Sequence, residues 1–197
     1  MPTGHHHEEL SAAGDRAVIR PLAREDGEEF TARARESRAL HHPWLFPPTT
    51  PEAWAEYADR VIEDPARRGF LVCEPDGSLA GYITISNIVA GAFRNGTLGY
   101  GAFAHAAGRG LMSEGLALVV AQAFGPLGLH RLEINVQPRN TASIALARRT
   151  GFRLEGYSPD FLHVDGAWRD HERWARTAAP VRRETAVPAG RGGGSGG

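Results

Sequence analysis

Residues 104–116, "AHAAGRGLMSEGL", place Gly108 and Gly110 around Arg109, directly ahead of a helix-forming run that begins at Leu111. The first N–H groups of a helix have no carbonyl partner within it, and the macrodipole adds partial positive charge there. Glycines at such a point adopt backbone angles closed to other residues and let a bulky phosphate approach the amides. Gly108, Arg109, Gly110, Leu111 and Met112 therefore read either as a cradle for an anion, with Arg109 adding a charged donor, or as an ordinary tight turn. A rival pattern, "GYGAFA" at 99–104, fits the spacing of a dinucleotide fingerprint. That chemistry needs glycines opening directly into a helix, with an acid about 20 residues on. Here the glycines lie inside a strand pattern and residues 119–121 are Val, Val and Ala, which excludes it.

The elements that must position this turn follow from periodicity and punctuation. "RAVIRPL" (16–22) reads as a strand, and "REDGEEFTARARESRAL" as one helix with acids in its first turn. The prolines of "HHPWLFPPTT" (41–50) forbid regular structure, and Thr50 then caps a helix that starts at Pro51. "GFLVCEP" and "LAGYITISNIV" form a hairpin around Asp76-Gly77, and "GTLGYGAFA" (96–104) is the strand that feeds the glycine turn. A helix over about 110–125, the strand "HRLEINV", a helix over "NTASIALARRTGF" and two strands joined at Asp165-Gly166 complete the order. Strand–helix–strand crossovers mixed with hairpins predict an α+β fold, an α/β sandwich around one central sheet.

At 197 residues, with 42% hydrophobic and 23% charged residues, the chain reads as one soluble domain with a proper core. Residues 1–14 read as a flexible arm, 15–176 as the domain, and 177–197 as a disordered Gly-rich tail. The "HHH" at 5–7 sits in the arm without fixed geometry, so no metal is expected. A formal charge of −1 gives little support to nucleic-acid binding. The single cysteine, Cys73, excludes an internal disulfide and agrees with a reducing cytoplasm. No signal peptide is visible, and no apolar run approaches the ~18 residues of a membrane span. All 22 basic residues are arginine, which reads as compositional bias or, less simply, as an amine-modifying enzyme sparing itself.

With both flanks of the glycine turn in view, the chain resembles the GNAT family of acetyl-coenzyme A-dependent N-acetyltransferases, and within it the RimJ/RimL-type ribosomal-protein alanine N-acetyltransferases. The resemblance spans roughly residues 15–176 and rests on "GRGLMSEGL", "HRLEINVQPRNTASIALARRTGF", "LEGYSPDFLHVDGAWRDH" and "GYITISNIV". It implies a mixed sheet of about six to seven strands with about four helices, the fourth and fifth strands splayed. The family's pyrophosphate signature, Q/R-x-x-G-x-G/A, falls on residues 107–112, where Ala107 and Met112 depart from it. At the splay, the resemblance implies that backbone groups at Phe103 and Ala104 bond the pantetheine arm. Its N-x-x-S pattern matches Asn140 and Ser143. Asn140 is then a pantetheine contact or a plain helix N-cap, and Ser143 faces the thioester, to position water or protonate the departing thiolate. Many members carry a tyrosine acid seven residues after the asparagine; here that position is Ala147.

The implied reaction is direct attack of an amine on acetyl-coenzyme A, with no metal. An α-amine is about a tenth unprotonated at pH 7, so deprotonation costs ~1.2 kcal/mol, against ~4.6 kcal/mol for a lysine side chain. A protein N-terminus therefore needs only a modest base. Glu133 in "RLEINV" is the preferred base, or it merely pairs with Arg131; Asp160 and His105 are further candidates. "HHPWLFPP" is read as a wall of the acceptor site or as simple packing onto the sheet, and the acids of "EDGEE" (25–29) as an attraction for a basic protein or a solvated helix face. A ribosomal protein N-terminus is the expected acceptor. A small amine such as an aminoglycoside or polyamine, and a non-catalytic coenzyme-binding module, are the alternatives; monomer and homodimer both stay open.

Overall fold

The computed structural model describes residues 10–179. The histidines at 5–7, most of the arm and most of the Gly-rich tail lie outside that range. In chain order the elements are β1 (Ala12–Ala13), β2 (Val18–Pro21), α1 (Gly27–Glu36), α2 (Arg38–His41), α3 (Pro51–Glu63), β3 (Arg68–Cys73), β4 (Leu79–Val89) and β5 (Asn95–Ala102). There follow α4 (Leu111–Phe124), β6 (Arg131–Val136), α5 (Thr141–Arg149), β7 (Arg153–Val164) and β8 (Ala167–Thr177). The eight strands form one sheet in the order β1-β2-β3-β4-β5-β6-β8-β7. Only β5 and β6, joined through α4, run parallel, as a helical crossover requires.

Two differences from the sequence reading have local causes. Ala12 and Ala13, assigned to the arm, pair with Ile19 and Val18 as a short edge strand. The single helix expected after β2 breaks at Ser37, whose hydroxyl donates back to the Arg33 carbonyl (2.6 Å) and accepts the Ala104 N–H (2.8 Å). Such a hydroxyl competes with the helical ladder, and here it also ties the helix end to the segment that follows β5.

Alternation along the strands divides the apolar residues between two faces. Phe70 and Val72 join Ile83, Ile85, Leu132, Ile134 and Trp174 under α4 and α5. Leu71 and Cys73 point the other way, to Phe30, Trp54 and Val61 of α1 and α3. Caps fix the helix starts: the Thr50 hydroxyl accepts the Ala53 N–H ahead of Pro51, and Asn140 Oδ1 accepts the Ser143 N–H at 3.1 Å. Within α4, Gly115 lies so close to β3 that a Cβ there would sit 2.7 Å from Val72. α4 is thus held in close contact with β3.

His41, at the end of α2, is buried, and its Nε2 donates to the Ala102 carbonyl at 2.7 Å. Burial pushes this imidazole below its ordinary value, so on acidification the unfolded chain takes up the proton first. The stability carried by the neutral ring is complete above pH ~6.5 and is lost as pH falls below it. His41→Gln keeps an N–H donor but does not titrate. Thermal melts from about pH 7.5 to about pH 5 should therefore show a shallower fall in midpoint for His41→Gln than for the wild type. Identical slopes would contradict the buried neutral ring.

Candidate active site

β5 and β6 pair only from Asn95↔Arg131 to Leu98↔Ile134. β5 continues to Ala102 and β6 to Val136, so the two strands part while β5 stays bonded to β4 as far as Ala102. Along residues 99–102 the strand edge toward β6 lacks a partner strand. Backbone groups in a strand alternate sides, so every second N–H and C=O there turns toward the gap, with the Ala102 carbonyl already taken by His41. A cavity of about 150 Å³ fills this wedge, with Gly99 and Tyr100 on one side, Asn135 on the other, and Asn140 and Ser143 at the N-terminal end of α5. His171 of β8 also lines it, and Trp44 and Leu45 of the proline-rich segment wall it.

Asn140 does two things: it caps α5 and it lines the cavity. Ser143 Oγ lies 2.7 Å from the Tyr100 hydroxyl. Burial pushes the Tyr100 phenol up to about 12, so at neutral pH it keeps its proton, and either hydroxyl can donate in the pair. Tyr100 was not foreseen. Ala147 is fully buried in the core, and the tyrosine beside Ser143 comes instead from β5, which only a strand register could have shown. Asn135 Oδ1 is sealed from solvent without a hydrogen-bond partner. An orphaned buried acceptor is costly unless a ligand donor meets it.

At the start of α4, Gly108 and Gly110 both take positive φ, 76° and 83°. The first helical bonds run from Ser113 and Glu114 to the Gly110 carbonyl. Among the described residues no acceptor meets the N–H groups of residues 108–112, so five successive amides stay bare. Met112, the departure from the small residue of the family signature, points inward and is accommodated by Gly81 of β4, where a Cβ would sit 2.4 Å from the Met112 sulfur.

The other candidate residues are placed differently. Arg109 is committed to a bidentate ion pair with Glu74, both contacts 2.6 Å, so its charge is already matched. Arg16 instead lies against Gly110, its Nη1 3.2 Å from where a Cβ would be, held near by Glu114, which accepts the Arg16 backbone N–H at 3.1 Å. Phe103 is fully buried. Its N–H donates to the Ala80 carbonyl, and the Ala104 N–H is taken by Ser37. The open edge therefore lies earlier, at residues 99–102. Glu133 is not among the cavity residues; its carboxylate accepts Arg131 at 2.8 Å, and Arg131 also bridges to Glu155. Asp160 sits in a positive-φ bulge with its N–H on Asp170, and His105 lies 3.9 Å from Glu74; neither lines the cavity. In "EDGEE", Asp26 binds Arg20 and Glu29 accepts the Leu79 N–H, so these two acids serve the fold. Among the described residues no cluster of His, Cys, Asp and Glu is arranged to hold a metal, and no helix is long and apolar enough to cross a membrane.

Bare amides at a helix start, an open strand edge and an orphaned amide oxygen suit a ligand with a diphosphate at one end and an amide-bearing arm. Comparison with known proteins agrees. The chain is 31% identical over 173 residues to the [ribosomal protein uS5]-alanine N-acetyltransferase of Escherichia coli, covering 83% of this chain and 88% of that one. It is 33% identical over 117 residues to the probable N-acetyltransferase YjcK of Bacillus subtilis, covering 59% of this chain and 65% of that protein. The structure of Mycobacterium smegmatis RimJ in complex with CoA-disulfide superposes with a TM-score of 0.78 at 29% identity, covering 85% of this chain and 84% of that one. Residues 16–153 match the acetyltransferase (GNAT) domain, and on that match and these relatives the chain belongs to the GNAT family of N-acetyltransferases.

Proposed function

We propose that this protein transfers acetyl from acetyl-coenzyme A to the N-terminal α-amine of a protein, with ribosomal proteins as the acceptor class, by direct attack in a ternary complex. The observation that carries it is the wedge between β5 and β6, which has the Ser143 hydroxyl at its wall, together with the bare amides of α4 in the chain segment that follows β5. The similarity to the uS5-alanine enzyme along most of both chains supports the acceptor class.

Acetyl-coenzyme A, when bound, supplies a thioester carbonyl as electrophile and a thiolate as leaving group. The N–H groups of residues 108–112 would hold its diphosphate, with the guanidinium of Arg16, itself paired with Glu114 at 3.7 Å, beside Gly110. The open edge of β5, the Asn135 amide oxygen and Asn140 would hold the arm. Fixing both reactants in one wedge removes most of the entropic barrier to a bimolecular step. Ser143, polarised by the Tyr100 phenol, donates its proton as the C–S bond breaks. A peptide suits the site better than a polyamine does: among the described residues no carboxylate lines the cavity to match a second ammonium, while Trp44 and Leu45 offer an apolar wall.

Thiol release, followed with Ala- and Ser-starting peptides, blocked lysine peptides, spermidine and an aminoglycoside, tests the acceptor class. The free N-terminal peptides should lead in kcat/KM by at least about tenfold, in line with the ~3.4 kcal/mol smaller deprotonation cost; a lead by spermidine or the antibiotic would overturn the assignment. Ser143→Ala should lower kcat about 10²-fold, at the low end of general-acid effects, with acetyl-coenzyme A affinity unchanged by calorimetry. Unaltered kcat would remove Ser143 from the chemistry.

A further inference from the structure

The wedge needs a group to accept the amine's proton, and Glu133 lies outside it. We infer that His171 is that group. This rests on the proposed acetyl transfer and names the residue that prepares its nucleophile. His171 is 4% exposed and sits on β8, where it lines the same cavity as Ser143 and Tyr100. Its Nδ1 is 2.9 Å from the Arg169 carbonyl oxygen. A carbonyl can only accept, so Nδ1 carries the hydrogen, and in the neutral ring the lone pair is on Nε2. Nε2 has no protein partner among the described residues, yet it is not among the buried side-chain atoms sealed without a partner. An atom without a bond and not sealed off, in a ring that borders a void, faces that void.

The ring cannot easily turn away. The Arg169 carbonyl holds one edge, and Phe161 packs against it with ring centroids 5.9 Å apart. A base fixed in tautomer and orientation is the arrangement general-base catalysis requires. The proton balance is simple. The incoming ammonium gives one proton to Nε2, and the freed lone pair attacks the thioester carbon. The C–S bond breaks as Ser143 protonates the sulfur, and the second amine proton leaves through the wedge to restore the hydroxyl. His171 then returns its proton to water.

The test compares His171→Asn, His171→Ala and wild type on an Ala-starting peptide. His171→Asn keeps a donor for the Arg169 carbonyl and deletes the Nε2 lone pair. It should lower kcat/KM about 10²-fold, with melting and acetyl-coenzyme A affinity unchanged. His171→Ala should be equally slow, and added imidazole should restore its rate at least about tenfold. His171→Asn within about threefold of wild type, or a folded His171→Ala that imidazole does not rescue, overturns the assignment. Should both variants fail to fold, imidazole nitrogen-15 spectra of the wild type decide: Nε2 unprotonated and shifted by the acceptor peptide supports it, the opposite tautomer overturns it. If wild type acetylates the peptide and the variants keep their rate, His171 alone is wrong; if wild type acetylates no amine, the functional proposal has failed and His171 with it.

Discussion

Everything at this site depends on two parallel strands that stop pairing after four residues. β5 and β6 are bonded from Asn95 to Leu98 and then diverge, and backbone groups that a continuous sheet would consume are left for a ligand. Buried N–H and C=O groups without partners are costly, so a fold keeps such a gap only when something else holds it open. Here the neighbours on both sides do so. β4 keeps β5 paired to Ala102, and β8 keeps β6 paired to Val136. His41 and Ser37 clamp the far end of β5 to the first helices, while Asn140 caps α5 across the mouth.

The helix that follows β5 extends the same logic to charge. Five bare amides and the macrodipole of α4 favour an anion, yet the arginine inside the turn does not add to that field, because Glu74 holds it. Arg16 occupies the place beside Gly110 instead, set there by Glu114 within the first turns of α4. Met112 shows how a family position can change without loss of shape: its longer side chain fills the space that Gly81 leaves on β4. Sequence departures that look damaging in one dimension are compensated by a neighbour in three.

Much of this was legible in the residues. The glycine turn, the cap at Thr50, the hairpins at Asp76-Gly77 and Asp165-Gly166 and the irregular proline segment all carry local signals. The family resemblance placed the splay and the Asn140–Ser143 pair. What stayed hidden depends on pairing across the sheet. Nothing local says that Tyr100 lies over Ser143 or that Arg109 meets Glu74, and local reading left Glu133 open between a base and the Arg131 pairing that the structure shows. His171 lay within a stretch of recognised resemblance, but its fixed tautomer appears only once Arg169 is seen to fold its carbonyl back onto the ring.

The central claim is that the parted strands and the bare amides of α4 form one continuous site for the coenzyme. Backbone amide NMR during titration with unacetylated coenzyme A tests it most directly, since no turnover intervenes. The account predicts the largest shifts at residues 108–112 and along 99–102, together with the Asn135 side-chain amide. Shifts confined to other surfaces, or none at saturating coenzyme, would contradict it.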